Sequence, residues 1–233
     1  MMRETKVFYN DSYKQEGLAA QRRWPNEELC RFMGRNFFHL DCNTRKNTKI
    51  LEIGCGSGAN LRLLASEGFD TYGMDLSEEA LQLVPLLVNE SVTLKQGDMS
   101  EFDYGAEIFD AIVDVFSSNC LDEIHYEKMV KCIYKVLKKG GKFFSYTPAK
   151  TSDAFINFAP AVKIDESTLN GIYRQDSPFY GNFYPWRFMG AEEVDKYWDK
   201  EHFKVTYLER LSRTYNGMKE VFDFLVFEVE KIS

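Results

Sequence analysis

Between residues 49 and 147 short apolar runs alternate with amphipathic ones, and that alternation fixes the fold class before composition is consulted. KILEI reads as a buried strand, GCGSG as a turn, and NLRLLASEG as a helix stopped by Gly68. DTYGMDL is a second strand, followed by a short helix, SEEALQLV, capped by Ser77 and ending near Pro85. VTLKQGD and FDAIVDVF are further strands. HYEKMVKCIYKVLKKGG reads as a helix running to Gly140-Gly141, and KFFSYT as a fifth strand. Repeated strand-helix-strand units predict a parallel sheet with helices on both faces.

Outside this stretch the pattern changes. Upstream, PNEELCRFMGRNFFHL is a helix with Asn26 as its cap. Residues 148–190 mix Pro, Gly, Asn and Ser with many rings and show no clean period. AEEVDKYWDKE is helical. FKVTYLERLSRTY and MKEVFDFLVFEVE are strands joined by Asn216-Gly217, the strongest short hairpin signal, so the sheet should end in an antiparallel pair.

At 233 residues, against roughly 150 for a typical domain, one domain with an extension is expected. It divides into a helical cap (1–47), a cofactor-binding core (48–147), an aromatic-rich substrate insertion (148–190), and a helix with a terminal β-hairpin (191–233). Net charge is −7, which opposes phosphate backbones and argues against nucleic acid as a partner. The lysines at 135, 138, 139 and 142 read as cations at a helix C-terminus. Five cysteines without a C-x-x-C pair predict reduced thiols in a cytoplasmic protein. No apolar run suits a signal peptide or a membrane span, and no cluster has metal-ligand spacing, so neither membrane nor metal is expected.

The chemistry gathers on three segments. ILEIGCGSGANL feeds a strand through Gly54, Gly56 and Gly58 into a helix, aiming backbone N–H groups at the carboxyl edge of the sheet. Asp75 follows 21 residues after Gly54, where a carboxylate can accept from both hydroxyls of a ribose. These two elements also suit a dinucleotide. Gly97-Asp98-Met99 comes after the third strand, where an acid and the next N–H can read an adenine edge.

Glu-x-Gly-x-Gly-x-Gly, the strand-two Asp, Gly-Asp, FDAIV, LKKGG and the final hairpin stand here in one order. That order resembles the class I S-adenosylmethionine-dependent methyltransferases, particularly their small-molecule branch, over residues 48–148 by motif and 190–230 by strand pattern. The resemblance implies an α/β, doubly wound, mostly parallel seven-stranded sheet of order 3-2-1-4-5-7-6 with its last strand antiparallel. It implies S-adenosyl-L-methionine as cofactor, wrapped by Gly54, Gly56 and Gly58, with Glu52 bracing the loop or the amino group. Asp75 would hold the ribose, Met74 or Leu76 would pack on adenine, and Asp98 and Met99 would read its edge. Asp114 or Val115 would offer backbone to the amino group, and Tyr13 would belong to a segment closing over the cofactor. Asn119-Cys120 departs from the family pattern, where many relatives carry His.

The expected activity is methyl transfer to an O or N of a small polar metabolite, with a lean toward a sugar or nucleotide-sugar of a surface-glycan pathway. Nine rings fall within residues 155–188, and aromatic walls with a few polar anchors suit small-molecule pockets. Tyr180, Tyr184, Trp186 and Arg187 are candidates there, with Arg22, Arg23 and Trp24 from the cap and Asn119 and His125 after the fourth strand. The arginines could grip a carboxylate or phosphate. No catalytic base stands out. An NAD-dependent oxidoreductase and a non-catalytic methyltransferase-fold subunit remain as alternatives, and the assembly as monomer or homodimer.

Overall fold

The computed structural model describes residues 2–233, with side-chain surroundings from Glu4 onward. Helix α1 (Met2–Glu16) precedes α2 (Glu27–Asn36), whose cap Asn26 accepts from the N–H groups of Glu28 and Leu29. After α3 (Cys42–Lys46) come β1 (Lys49–Ile53), α4 (Ala59–Ser66), β2 (Asp70–Asp75), α5 (Glu78–Leu83) and β3 (Thr93–Gln96). Then follow β4 (Phe109–Val115), α6 (Glu123–Val136) and β5 (Leu137–Pro148). The insertion holds α7 (Asp153–Ile156), β6 (Thr168–Leu169) and β7 (Trp186–Arg187). The chain closes with α8 (Ala191–Tyr197), β8 (Phe203–Tyr215) and β9 (Glu220–Lys231).

Seven strands form one sheet in the order β3-β2-β1-β4-β5-β9-β8. The first five run parallel, β9 pairs antiparallel to β5, and β8 pairs antiparallel to β9. Alternate side chains feed two cores, because successive residues of a strand face opposite sides. Ile50, Ala111 and Val113 pack with Leu29, Phe32 and Met33 of α2. Leu51, Ile53 and Ile112 pack with Met129 and Ile133 of α6 and with Trp198 beyond α8.

Two local readings need correction. The helix expected to reach Gly140-Gly141 ends at Val136, because Leu137 is drawn into the ladder opposite Phe109. Of its lysines Lys135 stays in the last turn of the helix, while Lys138 pairs with Asp110 at 2.8 Å and Lys142 with Glu230 at 2.8 Å from β5. The Asn216-Gly217 connection is not a two-residue turn. Tyr215 and Glu220 form the last pair, and Asn216, Gly217 and Met218 all take positive φ in a four-residue loop. The insertion, which has no clean period, carries a short antiparallel pair in which Thr168 and Leu169 meet Arg187 and Trp186.

Candidate active site

The carboxyl ends of β1, β2 and β4 open onto a cavity roofed by α1 and by the insertion. Its floor is the glycine loop. Gly54, Gly56 and Gly58 all adopt positive φ, at 67°, 53° and 91°. Two of them are confined by the protein itself. A Cβ on Gly54 would collide with Ser117, and one on Gly56 would lie 2.5 Å from the Tyr13 hydroxyl. The tightness here serves packing of loop against loop and of α1 against the loop, rather than ligand approach alone.

Glu52, at 2% exposure, receives a hydrogen bond from Asn60 Nδ2 on Oε1 at 2.5 Å, while Oε2 is buried with no partner. Burial pushes its carboxyl up to about 8, against the opposing pull of the Asn60 hydrogen bond and of Arg22. Asp75 accepts from Gly56 N–H and Ser77 N–H, both at 2.8 Å, and burial also raises its carboxyl, partly offset by those N–H groups. Arg22 reaches the Val115 carbonyl at 3.1 Å.

The far half of the cavity is aromatic. Tyr9, Phe116, Phe179, Tyr184 and Trp186 line it together with Cys120 and Asn182. Phe116 lies 5.0 Å from Phe179 and 5.6 Å from Trp186 between ring centroids.

The other candidates separate. Gly54, Gly56, Asp75, Leu76, Met99, Val115, Tyr13, Arg22, Tyr184 and Trp186 line the cavity with Glu52. Gly58 sits just below, against Val84 and Val88. Asp98 is turned to its own loop, accepting from Ser100 N–H and Oγ–H at 2.7 Å. Asp114 is fully buried and gathers Ser117, Ser118 and Ser145 around its carboxylate, which shapes the loop after β4 from beneath.

Several candidates do not face the cavity. Arg23 is exposed on the surface, and Trp24 is 68% exposed beside Arg62. His125 lies in the first turn of α6, its N–H given to the cap Asp122 at 2.9 Å and its Nδ1 2.6 Å from the same carboxylate. Tyr180 is half exposed against Phe183. Arg187 is 1% exposed and bonded to Glu193 at 3.2 Å and the Tyr197 hydroxyl at 2.9 Å. Asn119 is buried with both amide atoms unpartnered, beside the cavity-lining Cys120. Among the described residues one grouping has metal-ligand geometry, the surface trio Asp199, Glu201 and His202.

Sequence reasoning left out Asn60, Ser117, Phe116 and Asn182. Asn60 carried a signal, being the polar second residue of the helix after the glycine loop. The others are brought in by tertiary packing from two separate segments, the loop after β4 and the insertion.

The strand order and the glycine-loop cavity define the class I methyltransferase architecture. A family model described as a methyltransferase domain matches residues 50–141. The chain is 33% identical over 112 residues to the mitochondrial ubiquinone biosynthesis O-methyltransferase of Mus musculus, covering 44% of this chain and 29% of that one. It is 37% identical over 75 residues to the dTDP-3-amino-3,4,6-trideoxy-alpha-D-glucopyranose N,N-dimethyltransferase of Streptomyces venezuelae, covering 32% and 31%. The chain thus spans less than half the length of these curated relatives. In fold it is similar to a SAM-dependent methyltransferase of Methanosarcina mazei, with TM-score 0.65, 19% identity and coverage of 80% and 93%. It is also similar to the 1,6-didemethyltoxoflavin-N1-methyltransferase of Burkholderia thailandensis, with TM-score 0.60, 15% identity and coverage of 100% and 90%.

The fold is that of the class I S-adenosylmethionine-dependent methyltransferases, and the methyltransferase-domain match covers the glycine-loop core of the chain. The family's cofactor fits the residues present: an orphaned buried carboxylate oxygen on Glu52 suits its ammonium, and Asp75 at the end of β2 suits its ribose.

Proposed function

We propose that this protein is a methyltransferase that moves the methyl group of S-adenosyl-L-methionine to an O or N of a small polar metabolite. The observation that carries the reading is the unpartnered Glu52 Oε2 beside the glycine loop, with Asp75 close behind. The Glu52 carboxyl, raised by burial, ionises opposite an ammonium and is a poor neighbour for the pyrophosphate of a dinucleotide, which the glycine spacing and Asp75 would otherwise admit. When bound, the cofactor supplies a sulfonium methyl: the acceptor–CH3 bond forms as the S–CH3 bond breaks, leaving a neutral thioether, and the acceptor's proton passes to water. The chain's own residues hold the reactants in line and exclude solvent.

The lean toward a sugar or nucleotide-sugar now rests on the Streptomyces relative, because Arg174 is committed to Glu220 and Arg187 to Glu193. All five cysteines are unpaired, which supports a reducing compartment such as the cytoplasm. Calorimetry with S-adenosylhomocysteine and with NAD tests the cofactor reading. Binding of the first and not the second is expected, and the reverse overturns the assignment. Transfer of a labelled methyl group to candidate metabolites then tests activity, and loss of transfer without loss of binding would mark a non-catalytic subunit.

A further inference from the structure

Tyr9 of α1 and two residues of the insertion, Asn182 and Tyr184, form a hydrogen-bonded chain along the aromatic half of the cavity. The Tyr9 hydroxyl lies 3.0 Å from the Tyr184 hydroxyl, which donates to Asn182 Oδ1 at 3.2 Å. The direction of the chain is set at its far end. Asn182 Nδ2 donates to the Phe179 carbonyl at 2.8 Å, and a carbonyl can only accept, so Oδ1 must face Tyr184. Tyr184 therefore spends its proton on Asn182, and Tyr9 spends its own on Tyr184. What remains at the cavity end is a lone pair on the Tyr9 oxygen, with the Cys120 thiol 3.8 Å away as a weak neighbour.

An amide oxygen at the end of the chain cannot take up a proton at ordinary pH, so the chain orients a ligand and does not act as a base. Burial also raises the hydroxyls of Tyr9 and Tyr184 and the Cys120 thiol well above their usual ranges, which keeps all three protonated. The charged groups lining the cavity, Arg22, Glu52 and Asp75, cluster at the glycine loop: Asp75 accepts from Gly56, and Arg22 holds Val115 and acts on Glu52. The acceptor half is lined by rings and neutral polar groups. Trp186 adds an indole N–H that is buried without a partner, which suits a ring carbonyl.

We infer that the methyl acceptor is a neutral, planar ring carrying a polar hydrogen, held between the aromatic walls with that hydrogen given to Tyr9 through the Tyr9–Tyr184–Asn182 chain. Tyr9, Tyr184 and Asn182 are positioning and specificity residues. This inference rests on the methyltransferase reading above, and it disfavours anionic sugar phosphates.

Matched probes test it by saturation-transfer NMR on the full chain saturated with S-adenosylhomocysteine. Uracil is set against 1,3-dimethyluracil, and phenol against anisole, each pair differing in the polar hydrogen. Orotate and glucose 1-phosphate supply the anionic arm. Expected is binding of uracil and phenol at least about tenfold tighter than of their methylated partners or of either anion, as one well-formed hydrogen bond provides. In Tyr184→Phe the Tyr9 proton becomes free to point into the cavity, so the preference for uracil over 1,3-dimethyluracil should fall to about onefold or invert. Tyr9→Phe should lose it as well, and S-adenosylhomocysteine affinity should hold within about twofold in both variants. If Tyr184→Phe does not fold, Asn182→Leu makes the same test. Failure to bind S-adenosylhomocysteine sinks the methyltransferase reading itself. Cofactor-product binding with no preference for the polar-hydrogen probes, with preference for an anion, or with no probe bound overturns this inference alone.

Discussion

Asn60 Nδ2 donates to Glu52 Oε1 at 2.5 Å, and the same asparagine's Oδ1 accepts the Asn26 N–H at 2.9 Å. One side chain thereby ties the cap of α2 to the acid that precedes the glycine loop, and it leaves Glu52 Oε2 alone in the interior. That orphaned oxygen gives a pH signature. The Glu52 carboxyl titrates near 8 in the fold against an ordinary 4.5. Between those values folding takes up a proton, so the stability it contributes is full below 4.5 and is lost as pH rises through about 8. Cofactor binding needs the ionised form opposite an ammonium, so affinity for S-adenosylhomocysteine should rise with pH and level off near 8. Glu52→Gln should remove the pH slope in thermal unfolding and weaken binding by about 100-fold. A variant that binds normally, measured by calorimetry from pH 6 to 9, would refute the role.

Gly56 and Tyr13 yield a second prediction. Gly56→Ala faces both a positive φ of 53° and the Tyr13 hydroxyl at 2.5 Å. The left-handed conformation alone costs a non-glycine residue about 1–2 kcal/mol. We predict that Gly56→Ala destabilises by more than this, and that adding Tyr13→Phe recovers the steric part while the backbone part persists. Thermal unfolding of the single and double variants reads both. Absence of any recovery would show that α1 does not press on the loop.

Asp114 is expected to act through stability rather than by touching the cofactor. Its carboxylate accepts from Ser117 and Ser118 N–H groups at 3.2 and 3.0 Å and from the Ser145 hydroxyl at 2.8 Å. Asp114→Asn keeps the shape and removes the charge-assisted bonds, at about 2 kcal/mol. Urea unfolding should show the loss. Because Ser117 packs against Gly54, S-adenosylhomocysteine affinity should fall only in proportion to loop disorder, and Ser117→Gly should reproduce it.

The contrast between Asp75 and Asp114 shows what the sequence made legible. Asp75 follows from topology: an acid ending the second strand beside a glycine loop lies at the carboxyl edge whatever the side chains elsewhere do. The strand order was legible for the same reason, since apolar periodicity and short connections leave few ways to wind a parallel sheet. Asp114 also ends a strand, but the serines that turn its carboxylate inward come from the next loop and from β5, and no local pattern records that. The cavity wall was legible as a concentration of rings in the insertion, though not ring by ring: Tyr184 faces inward and Tyr180 outward. The Lys138 misplacement has the same origin, because cross-strand pairing overrode a helical period.

Arg187 is where the arginines of the insertion part company with the substrate. Its guanidinium meets Glu193 at 3.2 Å and Asp165 at 3.8 Å, stacked on Tyr126 and Tyr197, with 1% of the residue exposed. Burial pushes both carboxyls up. For Glu193 that is outweighed by Lys150, Ser167, the Gly190 N–H and Arg187, and for Asp165 by the Glu123 and Ser167 N–H groups, Thr168 and Arg187, so each titrates below its ordinary range. A depressed carboxyl contributes stability that is present above its unfolded value and is lost as pH falls through its folded one. Arg187→Leu takes the guanidinium from buried Glu193, which keeps Lys150 at 2.8 Å, and from half-buried Asp165, and should cost about 2–3 kcal/mol at pH 7. The deficit should shrink below about pH 4, where the acids of wild type and variant alike become protonated. S-adenosylhomocysteine affinity should stay within about twofold, because Arg187 points away from the cavity into the α8 side of the fold. Thermal unfolding at pH 7 and at about pH 3 with calorimetry at pH 7 separates the outcomes: a stable variant that fails to bind acceptor probes would return Arg187 to the substrate site.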